Sequence, residues 1–234
     1  MIHRSRQEIT QLISQHALLP LFNPDDLEVS KNVIRAAYDG GVRLFECTNR
    51  SADAYSIFKQ LVPFVEATMP EMVLGAGTIM DEASAQRFYD AGAQFIVSPV
   101  ISADVAGFCK KNNLFWCPGA STLNEIINAQ NMGADVVKIF PANFVGGPEF
   151  VKAIKAPCPW IRVMPTGGVD GSEKNLRAWF EAGVVCVGIG SQLFTREILA
   201  ARNYQMITAK TKEIVTTIQS IRSSLAHKAT PMRS

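Results

Sequence analysis

Histidine is scarce in this sequence, and its positions give little support to metal or histidine-based chemistry. The only three histidines are His3, His16 and His227, all close to the chain ends. Aspartate and glutamate do not cluster at the ends of the β-rich segments described below, so no ligand set for zinc, calcium or magnesium is visible. No G-x-G-x-x-G dinucleotide fingerprint and no Ser/His/Asp arrangement occurs either. We therefore expect neither a metal nor a bound cofactor.

Long apolar runs and clustered cations are also missing. No run approaches the ~20 apolar residues that a membrane-spanning helix needs, and the polar start MIHRSRQEITQLISQH lacks the apolar centre of a signal peptide. The 23 Lys+Arg and 21 Asp+Glu residues give a net charge of +2, without the basic run typical of nucleic-acid binding. We expect a soluble cytoplasmic protein that binds neither a membrane nor nucleic acid.

Cysteine occurs five times but never as a C-x-x-C pair. Several of these residues stand in apolar runs, where a thiol behaves as a small buried hydrophobe. An odd number of unpaired cysteines indicates reduced thiols in a reducing compartment. The five are Cys47, Cys109, Cys117, Cys158 and Cys186.

Short β-rich runs alternate with segments of helical periodicity along the chain. The runs are ALLPLF, VRLFECT, MVLGAGT, QFIVSPV, LFWCPG, DVVKIFPA, WIRVMPTGG and VVCVGIGS. This alternation indicates βαβ units and a parallel sheet, and a length of 234 residues suits one α/β barrel. We predict a single (β/α)8 TIM-barrel domain over 1–234, with an N-terminal helix within 1–16 covering the barrel floor, the barrel over 17–226 and a flexible tail over 227–234. A doubly wound open sheet is the alternative.

Glycine precedes every second β-rich run, in DGGV, DAGA, NMGA and EAGV. Glycine after a helix adopts the left-handed conformation that ends the helix at little cost. The spacing of ~40–50 residues corresponds to one (βα)2 quarter of a barrel and indicates a fourfold internal plan. The residues concerned are Gly41, Gly92, Gly133 and Gly183.

Lys138 is the strongest catalytic candidate. In VVKIFPA, the alternation of a strand puts Val136, Lys138 and Phe140 on one face. If that face lines a barrel, desolvation among apolar walls favours a neutral amine, which can attack a ketone and form an imine. A lysine that reaches the rim or pairs with an acid is the structural alternative.

Glu46 and Arg50 strengthen the catalytic interpretation of Lys138. In RLFECTNR, the same alternation places Glu46 on one face with Leu44 and Thr48, so a carboxylate enters the barrel from the second strand. A buried glutamate alone is usually half of an ion pair, but beside a lysine it can move the protons that imine chemistry requires. Arg50 follows at the end of that strand, and its planar fork suits a substrate carboxylate.

Further strand ends carry small or hydroxyl residues, and the carboxyl ends of barrel strands hold the active site. Thr78 ends GAGT, Pro99 follows the fourth run, and Thr166 ends the seventh. Glycine-rich loops after the last two strands, followed by a helix N-terminus, are the usual phosphate site of these barrels. Their residues are Gly167, Gly168, Gly188, Gly190 and Ser191. The same alternation would also send Arg162 into the barrel floor, where an ion pair or a bulge would accommodate it.

These motifs resemble a known family, the class I aldolases that act on 2-keto-3-deoxy-6-phosphogluconate (KDPG) and 4-hydroxy-2-oxoglutarate (KHG). The resemblance runs from about residue 17 to 194, in the order GGVRLFECTNR, VLGAGT, AGAQFIVSP, PGAST, VKIFPA, MPTGG and GIGS. The chain departs from the family pattern at Val100, at Asn49 and in the loop NFVGGPEF. The combination of K-x-F-P-A with P-T-G-G is the specific part of the match.

The resemblance implies a metal-independent aldehyde-lyase that releases pyruvate from a 2-keto acid, on a (β/α)8 barrel that commonly forms trimers. It assigns the Schiff base to Lys138 and the acid/base role to Glu46. It implies that Arg50 and Thr78 hold the pyruvate carboxylate. It implies that the imine is surrounded by Pro99, Phe140 and Thr166. It also implies that a phosphate is bound by Gly167, Gly168, Gly190 and Ser191. Two alternatives stay open: a sugar-phosphate epimerase of the same superfamily, and a barrel without activity that binds phosphosugars.

Overall fold

The computed structural model describes residues 4–229. Its first element is helix α1, Arg6–His16, which begins at a capping box: the Ser5 side chain accepts from the Glu8 N–H, and Glu8 reaches back to the Ser5 N–H. Nine strands and nine further helices follow. The strands are β1 Leu18–Phe22, β2 Leu44–Thr48, β3 Val73–Gly77, β4 Phe95–Val97, β5 Phe115–Cys117, β6 Gly119–Ala120, β7 Val137–Ile139, β8 Val163–Pro165 and β9 Val187–Ile189. The helices are α2 Leu27–Asp39, α3 Ala54–Thr68, α4 Glu82–Asp90, α5 Ala103–Lys111, α6 Leu123–Asn131, α7 Gly147–Lys155, α8 Glu173–Glu181, α9 Arg196–Ala200 and α10 Tyr204–Ala229.

All strand pairs are parallel, as the alternation predicts. Six strands form a curled sheet in the order β5-β4-β3-β2-β1-β9, and three more form a second sheet in the order β6-β7-β8. A parallel bridge joins Thr166, just after β8, to Gly188 of β9. The predicted α/β class with a parallel sheet is therefore confirmed, and the larger sheet observed is a curled one of six strands.

The fifth predicted run contains two strands instead of one. Pro118 separates β5 from β6, because proline has no N–H to donate to a strand ladder. The last helix also differs from the prediction, since α10 continues to Ala229 and not to residue 226. The rest of the predicted tail, 230–234, lies outside the described residues.

Buried side chains form an inner and an outer core. The inner cluster contains inward residues at or just before the start of several strands, among them Leu44, Phe95 and Val136, and Ile9 and Ile13 of α1 belong to the same cluster. The outer cluster lies between the strands and the helices and contains the residues of opposite parity, such as Phe45 and Val137. Helix α1 therefore covers the end of the sheets where the strands begin.

Two arginines attach α1 to the strands by polar contacts. Arg6 Nε lies 2.8 Å from Asp135 Oδ1, just before β7. Arg162, whose inward parity had no functional explanation, donates from its guanidinium to Ser14 Oγ at 2.7 Å. Arg162 thus lies at the floor, as its parity predicts, and the contact that accommodates it is a hydrogen bond to α1.

The four glycines predicted to end helices have the expected backbone. Gly41, Gly92, Gly133 and Gly183 have φ values of 104°, 105°, 98° and 92°. Each lies two residues beyond the last residue of a helix, where a left-handed residue ends the helical hydrogen bonding. Four cysteines are buried and the fifth, Cys158, is half-buried, and all five are free thiols. No helix within residues 4–229 has the length and apolarity needed to cross a membrane.

Candidate active site

Lys138 and Glu46 meet on the inner side of the two sheets. Lys138 lies in β7 and is 3% exposed, and Glu46 lies in β2 and is completely buried. The distance from Lys138 Nζ to Glu46 Oε1 is 3.7 Å. Neither oxygen of Glu46 accepts a hydrogen bond from another described residue. Because buried polar atoms are nearly always paired, this carboxylate is placed to bond a water or a ligand beside the amine.

Phe140 lies beside this pair and also lines the neighbouring cavity. Its ring centroid lies 5.4 Å from Lys138 Nζ, and the residue lines a cavity of about 320 Å³ at the carboxyl ends of the strands. Phe140 therefore contacts both Lys138 and the cavity, whereas Lys138 and Glu46 do not themselves line the cavity.

Arg50 and Thr78 form one contact at the mouth. Arg50 Nε donates to Thr78 Oγ1 at 3.2 Å, and Arg50 lines the cavity. Thr78 has a φ of 61°, a left-handed conformation that is unfavourable for a β-branched residue. Such strain is typical of positions that a functional site constrains.

Most of the predicted site residues line the same cavity. Asn23, Thr48 and Gln192, which the sequence analysis did not select, line it as well. The predicted residues are Arg50, Phe140, Thr166, Gly167, Gly168, Gly190 and Ser191.

The glycine-rich loops present unused donors to this cavity. Gly167 and Gly168 have φ values of 87° and 84°, and their carbonyls turn away from the cavity to accept from Asn143 N–H and Asn175 Nδ2 respectively. Within the described chain, the backbone N–H groups of Gly167, Gly168 and Ser191 donate no hydrogen bond. Free backbone N–H groups in successive turn residues can bind an anion where they converge.

Pro99 lies outside this cavity. It lines a neighbouring depression with Val100 and Gly119, and its carbonyl is so close to Gly119 that a Cβ there would overlap it. The predicted contact of Pro99 with the imine is therefore not made through the main cavity.

The Cys117 thiol does not compete with Lys138 as a nucleophile. Burial raises the pKa of the Cys117 thiol, and the charge of Lys138 only partly opposes that rise. Burial likewise raises the pKa of Cys186 to about 12. Since a thiolate is the reactive form, these inner cysteines stay protonated and act as apolar packing.

A model of the family described as "Aldolase: KDPG and KHG aldolase" matches residues 9–210. The chain belongs to this family. It is 31% identical over 206 residues to the 2-dehydro-3-deoxy-phosphogluconate aldolase of Dickeya dadantii, a match that covers 88% of this chain and 93% of that protein. It is 33% identical over 157 residues to the 2-dehydro-3-deoxy-6-phosphogalactonate aldolase of Escherichia coli, covering 66% and 75% of the two chains.

A solved aldolase has the same fold. The KDPG aldolase of Legionella pneumophila, determined with pyruvate captured at low pH as a covalent carbinolamine intermediate, matches with a TM-score of 0.79. It is 26% identical, and the match covers 88% of this chain and 97% of that one. The predicted family and the predicted enzyme class, an aldehyde-lyase, are confirmed. Membership in an aldolase family argues against both the epimerase and the barrel without activity.

No motif considered in the sequence analysis selects Asn23, Thr48 or Gln192. Asn23 comes directly after β1, Thr48 ends β2, and Gln192 follows the glycines after β9. A rule that inspects the carboxyl end of every barrel strand would have found all three. Among residues 4–229, no group of three or more His, Cys, Asp or Glu side chains is placed to hold a metal ion.

Proposed function

We propose that this member of the KDPG and KHG aldolase family cleaves KDPG to pyruvate and glyceraldehyde 3-phosphate through a Schiff base on Lys138, with KHG as a poorer substrate. The observation that carries the proposal is the buried pair of Lys138 and Glu46, whose Nζ and Oε1 atoms are 3.7 Å apart. An amine nucleophile and a proton carrier are the two groups that imine chemistry needs.

The first steps join the substrate to the lysine. The neutral amine of Lys138 attacks the C2 ketone and forms a carbinolamine, and protonation of its hydroxyl lets water leave as the iminium ion forms. The capture of pyruvate as a carbinolamine in the Legionella aldolase supports this order. Glu46, whose oxygens accept no hydrogen bond from a described residue, supplies or relays the proton.

The carbon–carbon bond breaks in the next step. Glu46 takes the proton of the C4 hydroxyl, the C3–C4 electron pair moves into the iminium, and the aldehyde leaves. The enamine that remains takes a proton at C3, and water hydrolyses the resulting imine to pyruvate and free Lys138. No electrons are gained or lost overall, since one substrate gives two carbonyl products.

The two ends of the substrate would be held by opposite charges and dipoles. Arg50, fixed by its contact with Thr78, suits the carboxylate of the pyruvate half. The free N–H groups of Gly167, Gly168 and Ser191 suit the phosphate, with Gly190 admitting close approach of the backbone. Phe140 and Thr166 would form the wall beside the imine, and Pro99 would take part only if the substrate reaches the neighbouring depression.

We also propose that the two sheets form one closed eight-stranded barrel over a single domain. The continuity of β5 with β6 across Pro118 and the bridge from Thr166 to Gly188 support closure at the two seams. A cytoplasmic homotrimer is the assembly that the family resemblance favours. Light scattering should then give a mass three times the 25.6 kDa of one chain, and a monomeric mass would contradict the trimer.

Steady-state kinetics on three substrates test the substrate assignment. KDPG and its galactonate epimer share a phosphate, whereas KHG carries a carboxylate that cannot reach the glycine loops. We expect kcat/KM to be higher for one or both phosphorylated substrates than for KHG. A preference for KHG would contradict the phosphate assignment while leaving the imine mechanism intact.

A further inference from the structure

Asn23 lines the cavity, and its hydrogen bonds determine which way its side-chain amide points. Its Oδ1 accepts from the Arg50 backbone N–H at 3.0 Å and from Thr48 Oγ1 at 3.4 Å. A backbone N–H can only donate, so the atom that faces Arg50 must be the amide oxygen. The amide nitrogen Nδ2 therefore points away from β2, and it donates no hydrogen bond within the described part of the chain.

The position of β1 gives this free donor a defined place along the substrate. Strand β1 lies between β2 and β9: Leu21 pairs with Glu46, and Pro20 pairs with Ile189. Asn23 follows β1 directly, so it stands between Arg50 at the end of β2 and Ser191 after β9, and all three line one cavity. A ligand that spans from Arg50 to Ser191 along this side of the cavity passes Asn23 with its central atoms.

We infer that Asn23 is a specificity-determining residue whose Nδ2 donates to the hydroxyl of the aldehyde half, on the carbon between the cleaved bond and the phosphate-bearing carbon. This inference rests on the proposed function, because that function sets the carboxylate at Arg50 and the phosphate at Ser191. In the aldol direction, the hydroxyl is the C2 hydroxyl of glyceraldehyde 3-phosphate. Asn23 thereby distinguishes a hydroxylated aldehyde from one that is merely phosphorylated.

The alternative role of Asn23 is to hold the loop after β2 in place through Oδ1. Asn23→Asp separates the two roles, because aspartate keeps an acceptor for the Arg50 N–H and removes both Nδ2 donors. It also adds a negative charge, which would disfavour any phosphorylated aldehyde. A comparison of two aldehydes with the same phosphate cancels that charge effect.

The experiment measures the addition of pyruvate to glyceraldehyde 3-phosphate and to 3-oxopropyl phosphate, which lacks the C2 hydroxyl. We expect Asn23→Asp to lower the ratio of the two kcat/KM values by roughly 3- to 10-fold, the worth of one neutral hydrogen bond. Asn23→Ser should lower the ratio equally, because its uncharged side chain is too short to reach the C2 hydroxyl of the aldehyde. It provides a second test if the aspartate variant does not fold. Asn49→Asp adds the same charge after β2 at a residue that does not line the cavity, so its ratio should stay unchanged.

A ratio that stays at the wild-type value in both Asn23 variants would overturn the inference, and so would an equal loss in Asn49→Asp. Borohydride trapping of pyruvate on the same wild-type sample distinguishes this failure from that of the proposed function. Trapping with an unchanged ratio rejects only the role of Asn23. Absence of trapping rejects the imine mechanism itself.

Discussion

The backbone of Gly77 lies directly against the carboxylate of Glu46. A Cβ built on Gly77 would overlap Glu46 Oε1 and lie 2.6 Å from both Cγ and Cδ. Gly77 is the last residue of β3, paired in register with Thr48 two positions beyond Glu46. Because Gly77 has no side chain, the Glu46 carboxylate has room to lie beside Lys138.

Gly77→Ala should displace Glu46 and slow turnover while leaving pyruvate binding measurable. The added methyl group overpacks the interior, so we also expect the free energy of unfolding to fall by about 1–3 kcal/mol. Gly107→Ala is the matched control, because a Cβ on that residue of α5 has no heavy atom within 4 Å. Turnover at the wild-type level in Gly77→Ala would show that the position of Glu46 is not critical.

Glu46→Gln should keep the fold and still form the imine with pyruvate, yet lower kcat by roughly 10²–10⁴-fold, the usual contribution of a positioned acid/base. The amide has nearly the same shape but cannot take a proton. Glu213→Gln on the exposed side of α10 controls for the loss of one charge. Near-normal kcat would move the proton transfer to another group, and loss of the fold would instead favour a structural ion pair with Lys138.

Ser191→Asp should raise KM for the phosphorylated substrates and leave KM for KHG nearly unchanged. A carboxylate in the loop after β9 repels phosphate at close range, where the charges are poorly screened. Asn128→Asp, at the neighbouring depression, adds an equal charge outside the main cavity and should have little effect. An equal rise of KM for all three substrates would show that Ser191 does not face the phosphate.

Treatment with a metal chelator should leave kcat and KM unchanged. The protonated imine withdraws electrons from the C3–C4 bond, which is the function that a Lewis-acid metal performs in other aldolases. Assays after extended dialysis against chelator check this directly. Activity that is lost and then restored by a divalent ion would indicate a metal-dependent mechanism.

Strand periodicity was sufficient to predict the inner residues of the site. Lys138 and Glu46 come from strands that lie far apart in the chain, yet alternation with period 2 placed both on the inner face, and the structure brings them to 3.7 Å. The same parity explains Arg162 at the floor. These predictions succeed because a buried strand leaves only two directions for a side chain.

Other features depend on tertiary contacts that local patterns do not encode. Asn23 has no charge and no motif, and its orientation is set by a hydrogen bond to Arg50, 27 residues away. Thr78 adopts a φ of 61° against its β-branched preference. The family resemblance assigns Pro99 to the imine wall, and local patterns did not predict that its carbonyl packs against Gly119 and that it lines a neighbouring depression.

Lys155 is the lysine to compare with Lys138 as the site of the Schiff base. Burial lowers the pKa of Lys155, and its Nζ donates to the Ile161 carbonyl. A lowered pKa makes a lysine more reactive toward ketones, so Lys155 is the appropriate competitor. Lys138→Arg should abolish turnover because a guanidinium stays protonated, whereas Lys155→Arg should retain it.

The most direct test is borohydride reduction of the protein in the presence of pyruvate, followed by peptide mass spectrometry. The imine mechanism predicts one N-carboxyethyl adduct per chain, located on Lys138, absent from Lys138→Arg and retained in Lys155→Arg. Protein that stays unmodified, or an adduct on Lys155 or any other lysine, would contradict a Schiff base on Lys138.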